Sequence, residues 1–140
     1  MNASTPTAPH RKSTLVTSYV LTALVALFLT FDTVLKVFAM APAMEATTAL
    51  GYPAAAVVPI GLVELVCLVL FLVPRTAVLG AILLTGHLGG AIATHVRVGS
   101  PLLSHTLFPI YVAALIWGGL YLREPRLRDL LPFRRRIAGA

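Results

Sequence analysis

A chain of 140 residues that is 58% hydrophobic and 11% charged cannot cover its apolar surface as a water-soluble domain. Its mean hydropathy of +0.89 makes a bilayer the natural solvent for most of it. The net charge of +6 therefore counts by position, because basic residues flanking membrane spans set orientation.

The first thirteen residues read as a flexible N-terminal tail carrying Arg11 and Lys12. Ala39-Met40-Ala41 resembles a signal-peptide cleavage site. Pro42 directly after it, the length of the apolar run, and Asp32 and Lys36 within that run argue against cleavage. About 20 apolar residues span the hydrocarbon core, so residues 14–39 form the first predicted helix. Pro42, Glu45 and the Gly51-Tyr52-Pro53 stretch then break the chain. The apolar stretch 54–96 is twice too long for one crossing, and Pro74-Arg75 is where it turns back. This gives spans at 54–73 and 77–96. Arg97 to Pro101 breaks the chain again, and the fourth span covers 102–122 before a basic tail at 123–140.

With four spans, Arg11, Lys12, Arg75 and the arginines from Arg123 to Arg136 fall on one side, leaving Arg97 opposite. The expected architecture is an all-α, integral membrane four-helix bundle with both termini cytoplasmic. Tyr19, Trp117 and Tyr121 then lie near the cytoplasmic interface, where amphipathic rings are favoured. The tail's six arginines, with Leu127, Leu130, Leu131 and Phe133 as an apolar edge, suit anionic lipids of the inner leaflet.

Inside the spans, Gly86 and Gly90 have small-xxx-small spacing, which serves either internal packing or a homodimer seam. Pro59 and Pro109 each predict a kink or a locally opened helix facing protein. Asp32, Lys36, Glu64, His87, His95, Arg97 and His105 gather in the outer half of the bundle, because alternate spans run in opposite directions. Ionisable groups at that depth cost about 3 kcal/mol each unless paired or hydrated, so the economical arrangement turns them inward.

Asp32 precedes Lys36 by four residues, the favourable order for an ion pair along a helix. Lys36 could equally pair with Glu64 across helices, or the group could line a polar pocket. Glu64 shares a face with Val57, Gly61 and Leu68, which leaves space beside the carboxylate. His87 shares a face with Ala91 and Thr94, with His95 on its flank. His95 with Arg97 has the pattern of a snorkelling interfacial pair. A pocket lined by Asp32, Lys36, Glu64, His87, His95 and Arg97 is the candidate ligand site.

No metal site is expected. His87 and His95 are eight residues apart and point about 80° apart on a helix. Cys67 is the single cysteine, which excludes an internal disulfide. Neither a Ser-His-Asp order, a phosphate loop nor a dinucleotide fingerprint is present, and nothing beyond the arginines favours nucleic acid.

DTVLK at 32–36, GYP at 51–53, IGLVEL at 60–65, the long block LVPRTAVLGAILLTGHLGGAIATHVR at 72–97 and the W-x-x-L-x-L-R end at 117–123 together resemble the DoxX-like family of small four-helix bacterial membrane proteins. The resemblance implies a multi-pass protein of the bacterial inner membrane. The family pattern matches Lys36, Glu64, Pro74, Arg75, Gly80, His95 and Arg97 here, while His87 falls outside it. Because the DoxX group takes its name from a subunit of a membrane quinone oxidoreductase, the resemblance implies a small-molecule-binding or partner subunit of a membrane redox system, with quinone as the cofactor to test. The lone cysteine speaks against a thiol relay. Two other readings stand beside it: a proton-linked carrier or permease using the same buried charges, and a non-catalytic scaffold or assembly factor in which they only fix helix packing.

Overall fold

The computed structural model describes residues 10–130. Residues 1–9 of the expected N-terminal tail and the C-terminal stretch from residue 131, with Leu131, Phe133 and Arg134 to Arg136, lie outside the described residues; the tail's last four residues, His10 to Ser13, are helical and belong to the first helix. Between them the chain forms helices α1 (His10–Val37), α2 (Ala41–Ala49), α3 (Val57–Leu72), α4 (Ala77–Arg97), α5 (Phe108–Arg123) and α6 (Pro125–Leu130). A 3₁₀ turn at Ala54–Ala56 leads into α3, and a π-helical turn at Leu102–Thr106 leads into α5. Four helical stretches are long and apolar enough to cross a membrane: Lys12–Val37, Ala54–Leu72, Ala77–Arg97 and Leu102–Arg123. Their outward faces carry large apolar side chains such as Leu27, Phe31, Val63, Val66, Leu79 and Ile82. In water such a surface would be an association hazard; in lipid it is the solvated face.

The four long helices close into a ring in which α1 packs on α3 and α5, and α4 packs on the same two. Ser18 Oγ donates to the Gly119 carbonyl at 2.6 Å, and Arg123 Nη1 donates to Thr22 Oγ1 at 3.1 Å. The start of α1 and the end of α5 therefore lie at one end of the bundle. The α3–α4 turn is at that end too, closed by Thr76 Oγ1 donating to the Leu70 carbonyl at 2.8 Å. There Gly80 packs on the Phe71 backbone so closely that a β-carbon would collide with it.

A solid apolar core fills this half, formed by Val25, Leu29, Leu68, Phe71, Ala81, Leu84, Ile116 and Leu120. Leu127 of α6 joins it instead of facing lipid. Arg128 donates to the carbonyls of Tyr121 and Leu122, satisfying acceptors that the end of α5 leaves open.

At the opposite end, three helices finish in the same way. Ala39, Gly51 and Gly99 all have positive φ (49°, 85° and 69°). Around them Met40 N–H donates to Leu35 O, Tyr52 to Thr47 O and Ser100 to His95 O, the six-residue closure of a Schellman turn. Glycine fits two of these positions without strain; alanine occupies the third.

The two prolines behave differently from one another. Pro59 is exposed and lies in the first turn of α3, where a missing N–H costs no helical bond, so it makes neither an interior kink nor a protein-facing opening. Pro109 is buried in the first turn of α5, directly after the π-helical turn, so the fourth span is locally opened there.

Candidate functional site

The Schellman turn at Ala39 ends α1 just beyond Lys36, and Gly61 of α3 faces that lysine. A β-carbon on Gly61 would lie 2.6 Å from Lys36 Cβ, so the two backbones meet closely there. The space beside Glu64 expected from Gly61 is thus filled by Lys36 itself. Lys36 Nζ donates to Asp32 Oδ2 at 2.6 Å and to Glu64 Oε2 at 2.7 Å. The two pairings that the sequence leaves as alternatives coexist: one ammonium bridges an intrahelical and an interhelical carboxylate.

His87 of α4 approaches the same Glu64 oxygen, with Nε2 at 3.5 Å. The Glu64 side chain is only 1% exposed, Lys36 18%, His87 16% and Asp32 35%, so access to solvent rises outward along the cluster. Two carboxylates share one ammonium, and the second Glu64 oxygen, Oε1, is buried without a hydrogen-bond partner. An unmet acceptor in such surroundings is costly, and it marks where a further donor would be stabilised.

These side chains form one wall of a cavity of about 480 Å³ in the half of the bundle opposite the apolar core. Asp32, Lys36, Glu64, His87 and His95 line it; Phe28, Ile60, Leu88 and Val112 give it apolar surface. Phe28 is held edge-on to Phe108, with ring centroids 5.2 Å apart. Gly86 and Gly90 also line the cavity, and a β-carbon on either would meet nothing within 4 Å. Among the described residues, no helix packs against that glycine pair. Their smallness gives the cavity width, while the close helix contacts fall to Gly61, Gly80 and Gly119.

Thr47, Leu50 and Tyr52, from α2 and the turn after it, reach the cavity from its outer end. Tyr52 Oη and Thr94 Oγ1 are hydrogen-bonded at 2.9 Å, and Thr94 Oγ1 also donates to the Gly90 carbonyl at 2.9 Å. Arg97 is not in the cavity wall. Its Nη2 donates to the Leu50 carbonyl at 2.7 Å and its guanidinium lies 5.8 Å from the Tyr52 ring centroid. It latches the α2 segment onto the end of α4. His95 does not pair with Arg97; its Nδ1 is 3.0 Å from Ser100 Oγ and its ring stands edge-on to His105, centroids 5.8 Å apart. Tyr52, Phe28 and Phe108 are cavity residues that the sequence reading did not single out. The signal for Tyr52 was present in Gly51, which could have been read as the end of a helix.

Chemically, the site combines an apolar chamber with a charged wall rich in acceptors. That suits a small molecule with a lipophilic body and a polar head. No match was found among curated proteins or among solved structures. The model of the DoxX-like family matches residues 20–119, from the first span through Gly119, and so contains the whole charged cluster and its cavity. This protein, a four-helix chain built to cross a membrane, belongs to the DoxX-like family.

Proposed function

We propose that this DoxX-like protein is a small-molecule-binding or partner subunit of a membrane redox system, and that its ligand is a lipophilic molecule of the quinone class. The observation that carries this reading is the cavity of about 480 Å³, which sets Lys36, Glu64 and Asp32 against Phe28, Ile60 and Val112. A quinone has the same division, with a polar ring edge and an apolar body. The charges belong to neighbouring helices, so a bound head would also sense how α1, α3 and α4 are packed.

The same reading places the protein in a bacterial inner membrane with both ends in the cytoplasm, following the positions of Arg75 and the terminal arginines. The arginine-rich tail then lies on anionic lipid, and contact with a redox partner or a second copy is made in the plane of the membrane.

The test is direct. The protein is purified in mild detergent and its lipid extract analysed for quinones, and its melting temperature is followed with added short-chain quinone and hydroquinone. Co-purifying quinone, or a melting-temperature rise abolished by Lys36→Ala, supports the reading. An extract free of quinone together with an unchanged melting temperature refutes it.

A further inference from the structure

We infer that the cavity selects the reduced, hydroxyl-bearing form of its ligand, a hydroquinone, over the corresponding quinone. The inference rests on the quinone-class reading above and adds a redox-state preference to it.

A quinone head offers only carbonyl acceptors, so a quinone site must supply donors. Most donors in this cavity already have partners; the exceptions are the Thr47 hydroxyl and the second ring nitrogen of His95, whose Nδ1 meets Ser100 Oγ. The Lys36 ammonium has three N–H bonds. Two of them are taken by Asp32 Oδ2 and Glu64 Oε2, leaving at most one for a ligand. His87 Nε2 faces Glu64 Oε2 at 3.5 Å. The hydroxyls of Tyr52 and Thr94 are joined to each other, and Thr94 also serves the Gly90 carbonyl. The Thr47 hydroxyl belongs to α2, at the cavity's outer end.

The acceptor side is in surplus. Two carboxylates face one ammonium, and Glu64 Oε1 is buried with no partner. A hydroquinone hydroxyl donates to a carboxylate, forming a charge-assisted hydrogen bond where none exists. The carbonyl of the oxidised form would be set against negative charge instead. Hydrogen bonds to charged groups of this kind correspond to a discrimination of about tenfold or more.

The experiment uses the full chain in detergent or nanodiscs, kept anaerobic, with three probes sharing one alkyl chain: the 1,4-benzohydroquinone, its quinone and its dimethyl ether. The ether keeps the oxygens and has no donor. Equilibrium binding should favour the hydroquinone about tenfold over both others. For a two-electron couple, a tenfold preference for the reduced form raises the midpoint potential of the bound couple by about 30 mV. Glu64→Gln, whose amide can itself donate to a carbonyl, should bring the hydroquinone-to-quinone ratio close to one.

A quinone that binds the wild type as tightly as the hydroquinone, or an unshifted midpoint, overturns the preference and leaves the quinone-class reading standing. An undiminished preference in folded Glu64→Gln also overturns it. Failure of all three probes to bind overturns both. Should Glu64→Gln not fold, the ether comparison and the midpoint shift decide on the wild type alone.

Discussion

Gly61 and Lys36 occupy one crossing point: the missing side chain of the first makes room for the backbone that carries the second. A β-carbon at Gly61 would lie 2.6 Å from Lys36 Cβ and 3.0 Å from the Val37 nitrogen, so neither helix can give way locally. The ion pair to Glu64, one turn along α3, depends on that approach. Gly61→Ala should destabilise the bundle by about 1–3 kcal/mol, the range for overpacking, and push α1 and α3 apart. Reversible unfolding in mixed micelles measures the first effect, and a label pair across the two helices the second. Unchanged stability would contradict the contact.

Removing the hub of the cluster should cost more than removing its outer arm. Lys36→Met leaves two carboxylates facing each other and is expected to cost about 3–5 kcal/mol, as for other buried pairs stripped of one partner. Asp32→Asn, at the more exposed end, should cost under about 1 kcal/mol. Lys36→Met combined with Glu64→Gln should recover most of the loss, because the isolated buried charge disappears with its partner. A double mutant as unstable as the single one would mean that the lysine stem, and not its charge, supports the packing.

Ala39 sits at φ 49°, a conformation that strains any residue with a β-carbon. Ala39→Gly should stabilise the protein by about 1 kcal/mol, the larger unfolded-state entropy of glycine offsetting part of the relief. The melting temperature in detergent reads the change, and a decrease would argue against the Schellman closure of α1.

Arg97 is exposed and joins α4 to the Leu50 carbonyl and the Tyr52 ring. Arg97→Ala should leave global stability within about 1 kcal/mol, the ordinary range for an exposed contact. It should, however, speed amide exchange from Thr47 to Tyr52 and, under the proposed function, accelerate dissociation of the quinone-class ligand. Exchange unchanged over that segment would show that α2 is held by its own packing.

Orientation can be tested with the chain's own chemistry. Cys67 is buried and is its only cysteine. In a Cys67→Ala background, single cysteines placed at Arg75 and Gly99 should label from opposite faces of the membrane, Gly99 from the outside. Labelling of both from one face would break the four-span arrangement.

Much of this molecule could be read from its residues. Helix periodicity and the alternation of span direction place Asp32, Lys36, Glu64 and His87 at one depth, because those features depend on distances along the chain. What Lys36 does there could not be read. Either carboxylate satisfies it on paper, and the choice of both follows from a helix crossing set by Gly61. Helix α2 was hidden for another reason. Its sequence APAMEATTA is short, mixed in polarity and begins around Pro42, so it has no apolar stripe to betray it. The Arg97 latch joins residues 47 positions apart through a backbone carbonyl, and a carbonyl carries no sequence signature.

The tight packing of Phe71, Gly80, Leu84 and Ile116 at one end and the chamber at the other divide the bundle into a stem and a cup. The stem at one end and the Lys36–Glu64 crossing at the other share the work of holding the helices, which frees the rest of the cup lining from that duty. Exchanging lining residues outside that crossing, such as Phe28 and Ile60, should therefore reshape the chamber while the scaffold stays intact. Relatives built on this plan would then differ most in the lining of the cup and least in its frame.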